Sequence, residues 1–197
     1  MVGVRKFNYL RIMFLTWLWT CFNRFNAMYM WGIALGENSV FCGKAIFFKA
    51  ENSQISIGNN CIFVSDANSK NLIGINRPCI INTQKPGAII TIGDNSGFSG
   101  TVLGATVKIV IGKDVKCGAN TTIIDSDWHP EDSRSGIPKP IFIEDNVWLG
   151  ANVVVLKGVT IGVNTVIGAN SIVTKSMPAN VIAAGNPCVV IKSIKNG

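Results

Sequence analysis

A single histidine, His129, stands in 197 residues. A zinc centre built from several imidazoles is therefore excluded, and no other residue pattern asks for a metal. The six cysteines, at 21, 42, 61, 79, 117 and 188, form no CxxC pair. They read as buried reduced thiols rather than a disulfide framework, which favours the cytosol. The chain carries a formal net charge of +7, which points to an anionic partner. Its basic residues form no run and its aromatics do not interleave with them, so a nucleic-acid partner is not expected. No phosphate-cradling glycine-rich loop occurs. No acid occurs before Glu37, whereas Arg5, Lys6, Arg11 and Arg24 all lie in that stretch. The uncharged run within it, Ile12 to Asn23, falls short of the roughly 20 apolar residues that cross a bilayer. The following FNRFNAMYM offers no small-residue cleavage site, so a secretory signal is not expected either. Two readings of residues 1–36 remain: a helical or irregular cap over an open sheet end, or an interfacial helix resting on the cytoplasmic membrane face with Trp17, Trp19 and Phe22 among the headgroups.

What the chain has instead is a six-residue beat. Residues 143–178 divide without a gap into IEDNVW, LGANVV, VLKGVT, IGVNTV, IGANSI and VTKSMP. The first position is always aliphatic: Ile143, Leu149, Val155, Ile161, Ile167, Val173. This period matches neither the 3.6 of a helix nor a plain alternating strand. It is the sign of a parallel β-helix, in which short strands stack coil on coil. Such repeats resemble the left-handed β-helix family, where three hexapeptides make one triangular coil and equivalent positions recur every eighteen residues. Asn146 and Asn164, and Asn152 and Asn170, keep that spacing. Asn and Gly tolerate the positive φ of tight corners.

The beat weakens upstream, in ISIGNNCI, ITIGDNSG and IVIGKDVKCGAN. Ile57 and Ile75 are eighteen apart, Ile92 is seventeen further on and Ile111 nineteen beyond that, which reads as small corner deletions and insertions. Cys61 and Cys79, also eighteen apart, read as stacked on one face. Ile123 to Ile143 spans twenty residues, two more than a coil, so only a short excursion is expected there. The expected fold is all-β: a left-handed parallel β-helix over residues 37–182 with a loop at 130–142, a cap at 1–36 and a short C-terminal extension at 183–197.

His129 sits where the repeat breaks, in IIDSDWHPED followed by Gly136, Pro138 and Pro140. Loops on a rigid scaffold are where catalytic groups are usually placed. Asp125 and Asp127 flank it closely, and a carboxylate accepting from one ring nitrogen makes the other a better base. Either aspartate could serve.

Residues 90–192 are similar to galactoside and maltose O-acetyltransferases. The likeness is carried by DSDWHP and by the run from Trp148 to Lys192, and the apolar N-terminal segment looks more like the capsular and exopolysaccharide branch. The resemblance implies a homotrimer with acetyl-CoA lying in a groove between neighbouring prisms. It implies direct transfer of the acetyl group to a hydroxyl of a sugar or glycan intermediate, with no covalent enzyme intermediate and no metal. Carried over residue by residue, His129 becomes the general base, Asp125 or Asp127 its orienting partner, and Ser99 or Asp127 an acceptor contact. Trp148, Ala151, Ala169, Thr174, Lys175 and Lys192 fall on cofactor positions, and AAGNPC at 183–188 on the family's close near the adenine. Val189 replaces a family arginine and Asn186 a family valine, so part of the phosphate contact is lost. Serine acetyltransferases need a long helical N-terminal domain that 36 residues do not supply. An N-acetyltransferase acting on an amino-sugar nucleotide, and a non-catalytic scaffold, are the competing readings. The expected location is the cytoplasm, with the inner membrane as a peripheral contact.

Overall fold

The computed structural model describes residues 2–69 and 71–194. Three parallel sheets wind around one core. The first holds Ala34–Leu35, Gln54–Ile57, Ile89–Ile92, Lys108–Ile111, Ile141–Ile143 and Thr160–Ile161. The second holds Val40–Cys42, Ile62–Val64, Gly97–Ser99, Lys116–Cys117, Trp148–Leu149 and Val166–Ile167, and is extended by Val181–Gly185 and an antiparallel Cys188–Ser193. The third holds Ile46–Lys49, Ile80–Thr83, Val102–Ala105, Thr122–Ile124, Val154–Val155 and Ile172–Val173. The chain visits the sheets in turn, so each coil is three short strands and three corners.

The hexapeptide beat becomes three inward ladders. Ile57, Ile92, Ile111, Ile143 and Ile161 stand in register on the first sheet. On the second, Phe41, Phe63 and Phe98 stack nearly parallel, with centroids 4.8 and 5.1 Å apart, and continue into Cys117, Leu149 and Ile167. Phe47, Ile81, Leu103, Ile123, Val155 and Val173 form the third. Every one of these side chains is buried. No single coil encloses its own apolar face, so each depends on its neighbours. At the corners, Asn146, Asn164 and Asn180 form an amide ladder at 2.8 and 3.0 Å, and Asn152 and Asn170 pair at 3.1 Å. All five have φ between 55° and 59°, as the spacing leads one to expect.

The upstream register differs from the expected one. Ile57 pairs with Ile92, not Ile75, because residues 65–78 leave the prism between the second and third sheets. Ile75 is buried under that excursion and merely falls at the period. Cys61 precedes a strand of the second sheet and Cys79 a strand of the third, so the two occupy different corners. The break after Ile124 is also larger than a short slip. Ile143 stacks on Ile111 and Ile123 on Val155, so the whole of 125–140 is an excursion between the third sheet and the first.

A helix, Val2–Phe25, and a π-helical turn, Asn26–Met30, precede the first coil. The end of the helix covers the open edge of that coil. Thr20 Oγ1 accepts the Phe41 N–H at 3.0 Å. The buried Asn23 accepts the Ala45 N–H at 3.0 Å and donates to the Gly43 carbonyl at 3.0 Å, while Arg24 donates to the Gly36 carbonyl at 3.0 Å. These are backbone groups that an uncovered terminal coil would leave unpaired.

Candidate active site

The 125–140 excursion is tied down at its root by Asp125. This carboxylate is fully buried and accepts the backbone N–H groups of Thr106, Val107 and Lys108, each at 2.7 Å. It thereby fixes the corner one coil earlier and makes no contact with the imidazole. Asp127 is likewise occupied: it accepts the Gly136 N–H at 2.9 Å and pairs with the Lys157 ammonium from the next coil. The hydrogen bond from Lys157, then that from Gly136, holds its carboxyl below the usual range. Asp127 therefore cinches the loop shut.

The carboxylate that meets His129 is Glu131, with Oε1 3.0 Å from Nδ1. Its own backbone N–H, then the imidazole, holds its carboxyl below the usual carboxylate range. Accepting from Nδ1–H leaves the lone pair on Nε2, the arrangement a general base needs. Nε2 has no protein partner among the described residues. The Ser135 hydroxyl donates to the His129 carbonyl and holds the turn around it.

His129 lines a cavity of about 400 Å³ with Gln84, Lys85, Thr106, Ser126, Asp127, Trp128 and the 135–138 segment. One wall is a polar chain. Thr106 Oγ1 donates 3.0 Å to Gln84 Oε1 and lies 2.9 Å from Ser126 Oγ. Gln84 Nε2 in turn donates to Asn82 Oδ1 at 3.2 Å. Neither Gln84 nor Thr106 stands out in the sequence, because corner residues of successive coils meet through stacking and not through any spacing along the chain.

The remaining expected site residues lie elsewhere on the same chain. Ser99 ends a strand of the second sheet, at a different corner from His129, and takes no part in this cavity. Trp148 stands on the outer face of the second sheet, 55% exposed. Ala151 and Ala169 occupy the corner after that sheet, and the Ala151 carbonyl already accepts the Asn170 N–H at 2.8 Å. Thr174 and Lys175 are exposed on the corner after the third sheet, and Lys192 is exposed on the last strand. One chain brings none of these six into the His129 cavity. Among the described residues no cluster of three or more His, Cys, Asp or Glu side chains could hold a metal ion.

Comparison with known proteins places this geometry. The hexapeptide repeat of succinyl-transferase matches residues 140–175. Galactoside O-acetyltransferase from Lactococcus lactis is 46% identical over 109 residues, covering 53% of this chain and 52% of that protein. The chain thus spans about half the length of the curated relatives it matches. A maltose O-acetyltransferase structure from Clostridium difficile is 30% identical, with 81% of this chain and 71% of that chain covered at a TM-score of 0.50. An N-acyltransferase mutant from Bacillus cereus, solved with dTDP and coenzyme A, superposes at a TM-score of 0.62 over 85% and 88% of the two chains. At 22% identity it speaks for the fold alone. With the repeat, the three-sided coil and a relative matched over most of its length, the chain belongs to the hexapeptide-repeat acetyltransferase family.

Proposed function

We propose that this chain transfers an acetyl group from acetyl-CoA to a hydroxyl of a sugar or glycan intermediate, with His129 as general base. The observation that carries the reading is His129 in the wall of the excursion cavity, paired with Glu131 at 3.0 Å. A hydroxyl is a poor nucleophile until a base takes its proton. In this reading Nε2 removes that proton as the oxygen attacks the thioester carbonyl. The imidazolium so formed is stabilised by Glu131 and returns its proton to the leaving thiolate. The acceptor lies against the Gln84–Thr106–Ser126 wall, whose amide and hydroxyls suit a neutral sugar.

The cofactor residues belong to a groove between chains. Trp148 and the corner alanines are remote from His129 on one prism, so acetyl-CoA held by them reaches a His129 only if a second copy supplies it. This supports the homotrimer. Holding thioester and hydroxyl in contact contributes several kcal/mol to lowering the barrier.

The test is thiol release from acetyl-CoA with a panel of sugars, wild type beside His129→Ala. Turnover is expected with a hydroxyl acceptor, falling about 10²–10⁴-fold in the variant without loss of thermal stability. Unchanged turnover in the variant removes the base role. Turnover with amino-sugar nucleotides alone makes the chain an N-acyltransferase, and none with any acceptor makes it a scaffold.

A further inference from the structure

The N-terminal helix covers the first coil with one side only. Thr20, Asn23 and Arg24 face the prism and bond to it. On the other side Phe7, Leu10, Phe14, Trp17, Leu18, Cys21 and Phe25 recur at the three- and four-residue steps that share one helix face. Met28 and Tyr29 prolong the stripe through the π-helical turn. All nine are exposed, Phe7 by 68%, Phe14 by 60% and Trp17 by 61%. From Phe7 to Tyr29 the stripe is about 33 Å long, and it contains no charged side chain. A continuous apolar face of this length on a helix already anchored from behind marks a contact surface.

From this stripe we infer that the helix docks flat on an anionic lipid surface. Two observations select lipid over a second protein chain, and a third sets how the helix lies on it. Aromatic rings make up five of the nine positions, Phe7, Phe14, Trp17, Phe25 and Tyr29, the composition that settles at a bilayer's headgroup level. The first 36 residues hold Arg5, Lys6, Arg11 and Arg24 and no acid, so the charge this segment carries in sequence is of one sign and complements anionic headgroups. No helix among the described residues is long and apolar enough to cross a membrane, so the stripe lies on the surface and does not span. The prism, held through Thr20 and Asn23, is thereby fixed beside the bilayer.

The inference is independent of the acetyl-transfer reading, and its test needs no turnover. The full chain is mixed with vesicles of pure phosphatidylcholine, or of phosphatidylcholine and phosphatidylglycerol in equal parts, and sedimented. Wild type is expected to pellet with the anionic vesicles, less with the neutral ones, and less as salt rises. Phe14→Ser with Trp17→Ser removes two solvent-facing rings without touching the prism, and should weaken partitioning about a hundredfold. Leu10→Ser with Leu18→Ser gives the same direction by a second route, and unchanged thermal melting shows that both pairs fold. Sedimentation without lipid reads the oligomeric state of each variant. Wild type remaining in the supernatant with both vesicles overturns the inference. So does variant partitioning equal to wild type. A lower oligomeric state in the variants with no change in vesicle binding also overturns it, since the stripe is then a contact between copies.

Discussion

At the residue scale, three carboxylates within seven positions divide into three tasks. Asp125 terminates three backbone donors, Asp127 ties the loop to Lys157, and Glu131 meets the imidazole. Their substitutions should therefore separate. Asp125→Ala leaves three backbone N–H groups without their acceptor, and should cost about 3 kcal/mol of stability by denaturant unfolding. Glu131→Gln should leave stability unchanged and lower turnover roughly tenfold, with the loss in kcat, because only the tautomer and the imidazolium are affected. A Glu131→Gln enzyme as active as wild type would free His129 of any partner. The sequence places His129 and its acidic neighbours in the loop by the break in the repeat. It does not say which acid meets the ring, because Asp127 is claimed by Lys157, thirty residues away, through coil stacking.

At the element scale, the corners are set by contact between successive coils. A Cβ built on Gly93 would stand 2.6 Å from the Gly112 carbonyl carbon and 2.8 Å from the Lys113 nitrogen. Both are backbone atoms, and the Lys113 N–H is held by Asp145 Oδ1 of the next coil at 2.8 Å, so neither yields cheaply. Gly93→Ala should cost about 2 kcal/mol by overpacking alone, read as a lower unfolding midpoint with an unchanged slope. Stability equal to wild type would mean that the coils can part at this corner. The regular stretch 143–178 is legible because every hexapeptide lands on one strand and one corner. The upstream half is not, because the 65–78 excursion contains Ile75, an apolar residue that falls at the period although it belongs to no strand of the stack. Periodicity along the chain carries no mark of where the chain leaves the stack. The helical end cover is legible only in outline. Its working contacts are the polar Thr20 and Asn23, which an apolar run conceals.

At the scale of the whole molecule, the candidate groups for base and cofactor are spread over separate faces of one prism. His129 is on the corner between the third and first sheets, Trp148 on the second sheet, and Ala151 and Ala169 on the corner beyond it. A chain acting alone joins His129 to none of the cofactor groups, whereas a closed ring of three identical chains sets one chain's corner against the next chain's face. The purified protein should sediment as a trimer. The most direct measurement is subunit complementation. His129→Ala and Trp148→Ala chains are made separately, each weak as a homotrimer, then unfolded together and refolded as mixed trimers. If each site takes His129 from one chain and Trp148 from the next, random mixing leaves about a quarter of the sites intact, and thiol release returns to that fraction of wild type. Mixed trimers no more active than the parents would contradict a site shared between chains.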